Sequence, residues 1–251
     1  MLDGKEGSTY DGIGSDGLVF SPDSKHLAYV AAIGKKRFVV IDGVLREAYY
    51  GASTPVFSPD SKRAAYVADN GEKWSVVVDG SGAGKYDGIG KSDPIFSPDS
   101  KRLAFTASRG GKHFIAVDRI DGPGYDAILS GGSVFSPDSQ RVAYGARLGN
   151  KSFVVVDGKE GPQYDEIGVH SLVFSPDNKH LAYVAVRSAK MFVVVDGTEG
   201  KAYDAFMPGS RLIFESPTDL HSLALSDDDA FRISVRIVEG RASSSTKSGN
   251  D

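Results

Sequence analysis

One ten-residue stretch, Phe20-Ser21-Pro22-Asp23-Ser24-Lys25-His26-Leu27-Ala28-Tyr29, constrains this chain more than any other because the chain keeps returning to it. Phe-Ser-Pro-Asp recurs at Phe57, Phe96, Phe135 and Phe174, and a degraded copy, Phe214-Glu215-Ser216-Pro217, follows. Successive phenylalanines stand 37, 39, 39, 39 and 40 residues apart. A fixed period in that range marks a solenoid, a propeller or an array.

The second copy serves as a template. Pro55-Val56-Phe57 is a short apolar run suited to an inner strand, and Ser58-Pro59-Asp60-Ser61 is a turn in which proline presets φ and its neighbours bond the backbone. Ala64 to Ala68 reads as a second strand, closed by the loop Asp69-Asn70-Gly71-Glu72. Trp74-Ser75-Val76-Val77-Val78 reads as a third strand, without polar alternation over its core, as expected when both faces are buried. Asp79-Gly80 is a hairpin turn, and Tyr86-Asp87-Gly88-Ile89 opens a fourth, outer strand. Runs this short exclude repeat helices. Four strands joined by tight turns and repeated radially make a propeller blade.

The expected fold is all-β, a six-bladed β-propeller of four-stranded antiparallel blades. By this reading the chain starts with an orphan outer strand, Ser8 to Gly14, and ends with a three-stranded unit near 211–214, 221–226 and 231–238. The N-terminal strand would then complete the C-terminal blade and close the ring, removing exposed sheet edges. Residues 1–240 form one domain on this expectation, and the serine-rich stretch 241–251 is a disordered tail.

Composition bounds the partners. A formal net charge of -4 gives no general reason to expect nucleic acid, and no cysteine is present to form disulfides or thiolate metal sites. No apolar run approaches the ~20 residues of a spanning helix. Met1-Leu2-Asp3-Gly4 lacks the apolar segment of a signal peptide, so the chain reads as cytoplasmic as written, or periplasmic or secreted if a leader was removed. No cofactor is expected, and a monomer is.

The unit Phe-Ser-Pro-Asp-Ser-Lys-x-Leu-Ala-Tyr, followed some ten residues on by Phe-Val-Val-Val-Asp-Gly, resembles the propeller repeat of the TolB family, itself similar to a WD repeat without its Trp-Asp pair. The resemblance covers residues 8–240. It implies a propeller that is often six-bladed and often periplasmic, with TolB itself a protein-binding platform. Similar blades gate prolyl oligopeptidase and dipeptidyl peptidase relatives and form oligogalacturonate lyases. No Gly-x-Ser-x-Gly nucleophile elbow occurs here, so peptidase activity is not carried over. Serine or asparagine stands where the family repeat usually has glycine after Ser-Pro-Asp.

Comparing the copies separates scaffold from variable positions. Alanine at 28, 65, 104, 143, 182 and 224, with an aromatic after it in five copies, reads as core. The Ser-Pro-Asp carboxylates and the Asp-Gly aspartates are accounted for by turns rather than by metal. His26, His180 and His221 share one position with Arg63, Arg102 and Arg141, and read as structural or solvated.

The second-to-third loops are different. They carry Lys35, Lys36, Arg37, Lys73, Arg109, Lys112, Arg147, Lys151, Arg187 and Lys190 against Asp69, Glu72, Asp227, Asp228 and Asp229, an excess of five positive charges. Lys36, Lys73, Lys112, Lys151 and Lys190 recur in register, each followed by a different residue: Arg37, Trp74, His113, Ser152 and Met191. A fixed cation beside a varied side chain suits recognition of an anionic ligand, and also suits solubility alone.

The reading is a non-catalytic binding propeller that takes a protein segment or a small anionic or carbohydrate ligand on this basic face. The alternative is a carbohydrate lyase or hydrolase at the mouth of a central channel, where Asp16, Asp93, His113, His170 and Arg211 are the available side chains.

Overall fold

The structure, a computed structural model, describes residues 8–14, 17–90, 94–207, 209–226, 229–238 and 241–248. Every described element is a β-strand, and none is a helix that could cross a membrane. The chain divides into two compact units, Met1–Gly122 and Pro123–Asp251. Each unit holds three antiparallel sheets.

The first sheet shows the plan. Gly12–Ile13 and Val19–Phe20 both pair with Leu27–Ile33, which pairs with Lys36–Ile41, which pairs with Val44–Tyr49. The inner strand is therefore a broken one, touching the second strand at both ends and bowing away between. In the fourth sheet the same strand runs unbroken over Ala127–Phe135, with a register shift between Ile128 and Ser133. Strand order within a sheet follows the sequence, so each sheet is built from consecutive hairpins as a propeller blade is.

Local chemistry explains the turns. The residue after Ser-Pro-Asp takes positive φ in all five intact copies: Ser24 at 60°, Ser61 at 65°, and Ser100, Ser139 and Asn178 at 66° to 67°. Glycine occupies this conformation without steric cost. Serine does so here for a reason visible in the packing: the Ser61 hydroxyl accepts a bond from the Asp23 amide of the preceding sheet, and Ser100 accepts one from Asp60. Asn178 does the same for Asp138 in the second unit.

Two alanine columns let the sheets approach. Ala28, Ala65, Ala104, Ala143 and Ala182 are fully buried, as expected. Ala224 belongs to a second column with Ala31, Ala68, Ala107, Ala146 and Ala185, each opposite the residue that follows the varied position of the third strand. The degraded turn Phe214 to Leu220 is one residue shorter than Phe20 to Leu27, so aligning Ala224 with Ala28 shifts the last unit out of register. The counterpart of Ala28 is His221, which lies 3.1 Å from Glu215 and does not share the position of His26.

Between sheets, the tyrosine that ends an outer strand packs edge-on against the aromatic of the next second strand at Tyr49, Tyr86 and Tyr164. Ring centroids are 6.0 Å apart for Tyr49 and Tyr66, 5.6 Å for Tyr86 and Phe105, and 6.2 Å for Tyr164 and Tyr183. Such pairs contribute about 0.5–1.5 kcal/mol beyond burial. In the last sheet Ser222 takes the aromatic position, and Tyr203 turns to Phe206 instead.

Three expectations are corrected. The outer strand ends, rather than begins, at Tyr-Asp: Ser81–Tyr86 pairs with Trp74–Val78, while Gly88–Ile89 has already crossed to the next sheet. The aspartate is the crossing point, because its amide bonds the next sheet through Ser108. For the same reason Gly12–Ile13 pairs with Leu27–Ile33 in its own sheet and does not complete the last one. The outer position of the last sheet is filled by Arg241–Ser248, the stretch expected to be a tail, paired along its length with Asp229–Val238. Serine composition concealed a strand whose pairing partner is already a ten-residue edge.

Deleting residues 241–251 is expected to lower the thermal unfolding midpoint by several degrees, since it strips a paired strand from that edge. Circular dichroism melts of the full and shortened chains check this, and equal midpoints would return the segment to the status of a tail.

Candidate functional site

The ionisable residues form two sets, one at each end of the strands. At the Ser-Pro-Asp end, each hairpin aspartate bonds two groups. Asp79 accepts the Ala64 amide at 3.1 Å and the Arg63 Nε at 2.9 Å. Arg63 then reaches the next turn, donating through Nη1 to the carbonyls of Ser100 (3.1 Å) and Lys101 (2.8 Å), with its guanidinium 5.3 Å from the Phe96 ring centroid. Arg141 repeats the arrangement with Asp157, Asn178, Lys179 and Phe174. At the same position His26 Nδ1 meets Asp42 at 2.7 Å and His180 meets Asp196 at 2.6 Å. These two histidines are structural, as read from the repeat.

The recurrent lysines lie at the other end, and they are not bare. Lys73 donates to Asp87, Lys151 to Asp165 at 2.7 Å, and Lys190 to Asp204, always fourteen residues on. The second oxygen of the same aspartate takes an amide from the following second-to-third turn: Gly110 for Asp87 at 2.7 Å and Ser188 for Asp165 at 2.9 Å. Asp11 and Asp126 bond Gly34 and Gly149 in the same way. Where Tyr50 replaces aspartate, Lys36 sits over its ring, 3.2 Å from the centroid, a cation–π contact in place of an ion pair. The loop excess of five positive charges is thus matched in number by Asp11, Asp87, Asp126, Asp165 and Asp204, carboxylates that a count of loops alone leaves out. A turn-to-turn charge tally could have found them, because the fourteen-residue spacing is constant.

Donated bonds hold these carboxyls low. The Lys73 ammonium and the Gly110 amide keep Asp87 below the usual carboxylate range, and Lys151 and the Ser188 amide do so for Asp165. The Ser58 hydroxyl and the Lys62 amide lower Asp60, and the Ser136 hydroxyl and the Gln140 amide lower Asp138.

The varied residues divide in two. Arg37 and His113 are exposed. Ser152 is buried and bridges Tyr164, while Met191 is half-buried against the core of the last two sheets. Trp74 is half-buried and reaches across Asp69, so a methyl placed on Gly51 would meet its indole Cη2 at 3.7 Å. Lys112 is exposed at the turn beside His113.

Of the side chains assigned to the alternative reading, Asp16 and Asp93 lie outside the described residues, as do Asp227 and Asp228. Arg211 is exposed ahead of Ile213–Phe214. His170 is exposed at φ 57°, with its amide and Nδ1 both 3.3 Å from where a Gly131 methyl would stand. It borders a recess of about 110 Å³ lined by Leu129, Val134, Ile167 and Leu172. Among the described residues no three histidine, aspartate or glutamate side chains converge in a group that could hold a metal ion.

No family model matches the chain, and no curated protein matches its sequence. Solved structures that resemble it include TolB, a β-propeller domain and peptidases. TolB from Acinetobacter baumannii is 16% identical over 93% of this chain, with a TM-score of 0.41, and the chain spans 63% of that structure's length. The β-propeller domain of the Trilobed protease from Pyrococcus furiosus is 13% identical over 96% of this chain and 85% of that one, at a TM-score of 0.47. An acylaminoacyl peptidase is 12% identical over 94% of this chain and 46% of its own, at 0.45.

Acid should loosen both sets together. A carboxyl whose folded pKa is depressed contributes stability that is full above its ordinary value, about 4, and is lost as pH falls through the folded value. Thermal midpoints are therefore expected to hold from neutrality to about pH 4 and to fall below it. The double variant Asp60→Asn, Asp138→Asn should start lower at pH 7 and show a shallower acid decline, read by scanning calorimetry between about pH 2 and 7.

Proposed function

We propose that this protein is a non-catalytic, six-bladed propeller that binds an acidic protein segment or other anionic ligand at the second-to-third loop ends of its blades. The observation that carries this reading is the division of labour at those ends. Lys73, Lys151 and Lys190 are held by aspartates and Lys36 by Tyr50, so these lysines set the height and spacing of the loops rather than supplying loose charge. Arg37, Trp74 and His113, one from each sheet of the first unit, stand beside them and differ in chemistry. A rigid frame carrying unlike side chains suits recognition, since ordering costs on binding are then small. The TolB-like repeat, whose family includes a protein-binding platform, supports the same reading.

This replaces the simpler idea that the lysines themselves form the binding surface. Reversing Lys73 or Lys151 would break an ion pair of the frame and would not test recognition cleanly. The test uses Trp74, the sole tryptophan, as reporter. Titration with a hexaglutamate peptide at low salt is expected to change its emission saturably, and added salt should weaken the response. The double variant Arg37→Glu, His113→Glu should bind about tenfold more weakly, as removal or reversal of rim charges does. No emission change together with no calorimetric heat would defeat the reading.

A further inference from the structure

Three recesses on this protein are copies of one groove, each formed where the outer hairpin of one sheet meets the Ser-Pro-Asp end of the next. The first unit holds two, of about 300 Å³ between its first and second sheets and about 250 Å³ between its second and third. They share Arg63. The second unit holds the third, of about 280 Å³, between its first two sheets.

Equal in shape, they differ in charge. In the second unit Arg141 and Lys159 face Glu160 and Asp196, and the charges cancel. In the first unit Arg46, Lys62, Arg63, Lys101 and Arg119 outnumber Asp42, Asp79 and Asp118. Those three carboxylates are already committed, each to a backbone amide and to His26, Arg63 or Arg102 respectively. Lys101 leans on Asp99 at 3.6 Å while largely exposed. Arg46, Lys62 and Arg119 form no ion pair among the described residues. On a chain of net charge -4, this is a local positive well.

Two departures from the repeat shape these recesses, and one of them, Arg119, adds a cation. At the first junction His26 stands where Arg63 and Arg141 stand elsewhere, and its ring stops at Asp42, so no guanidinium among the described residues spans to the carbonyls of Ser61 and Lys62. At the third hairpin Arg119 occupies the second turn position at φ 72°. Among the described residues, four other hairpins place glycine there, Gly43, Gly80, Gly158 and Gly197, at 77° to 81°. Arginine is ill suited to that conformation, and turns of this type select glycine. A strained residue that brings a cation to the edge of a recess points to use of the cation. Apolar walls at Ile41, Phe57 and Tyr66 lower the local dielectric beside these charges.

We propose that the two recesses of the first unit, which share Arg63 in their linings, bind a small oligo-anion, phosphate or carboxylate in chemistry, carrying at least two negative groups. Arg46 and Lys62 hold one group, Arg119 holds the other, and Arg63 lies between them. This site goes beyond the loop-end reading above, since it lies at the opposite ends of the strands and uses none of Arg37, Trp74 or His113.

Calorimetric titration with tripolyphosphate and with citrate tests it. Saturable binding of either is expected, with the stronger probe naming the chemistry. Arg119→Gly is expected to weaken binding about tenfold, the loss of one charge-assisted contact, while raising the thermal midpoint by a few degrees as turn strain is relieved. Lys62→Ser with Arg46→Ser should weaken it further, and Lys159→Ser in the neutral groove should leave it unchanged. Absence of binding overturns the proposal. So does binding that survives Arg119→Gly, or that falls as much in Lys159→Ser. Arg37→Glu with His113→Glu should not alter it, which keeps this site and the loop ends separable.

Discussion

A carboxylate has two acceptor oxygens, and this repeat uses both. At one end of the strands the hairpin aspartate holds the first amide of the second strand with one oxygen and a guanidinium or imidazole with the other, as Asp79 and Asp42 do. At the other end Asp87 and Asp165 join a lysine of one sheet to a turn amide of the next. Sheets that face each other across alanines and aromatics gain their packing from burial, which has no direction. The carboxylates supply direction. They fix which turn sits beside which, and so the register of one sheet on its neighbour.

That constraint explains why the same few substitutions are tolerated and how each is compensated. Serine accepts a left-handed backbone after Ser-Pro-Asp because its hydroxyl bonds the adjoining sheet. Tyr50 replaces an aspartate and keeps Lys36 by presenting a ring face. Ser222 replaces an aromatic in the last sheet, and Tyr203 finds Phe206. Arg119 and His26 are different: the first adds strain and a cation to one pair of recesses, and the second shortens a reach.

Much of this was readable from residue order, and the unreadable part has a common cause. Ser-Pro-Asp and Asp-Gly turns announced themselves because turn preference is local, set by proline's φ and by side chains bonding their own backbone. Buried columns such as Ala28 to Ala182 were visible because the copies could be laid over one another. The Lys–Asp clamps were missed although both partners were in view, since a count by loops separates residues that pairing brings together. His170 and Arg37 look alike in sequence as loop residues, yet one borders a small apolar recess and the other stands open.

The amino-acid order by itself determined that the chain would make short antiparallel hairpins, where they would turn, and which faces would be buried, because each depends on residues within about ten positions. Only tertiary structure decided where one sheet ends and the next begins, that Arg241–Ser248 joins Asp229–Val238, and that Lys36, Lys73, Lys151 and Lys190 are clamped. Strand pairing and ion pairing are made between distant residues, and backbone amides look the same in every sequence. Serine-rich residues can therefore complete a sheet once a paired edge is there to receive them.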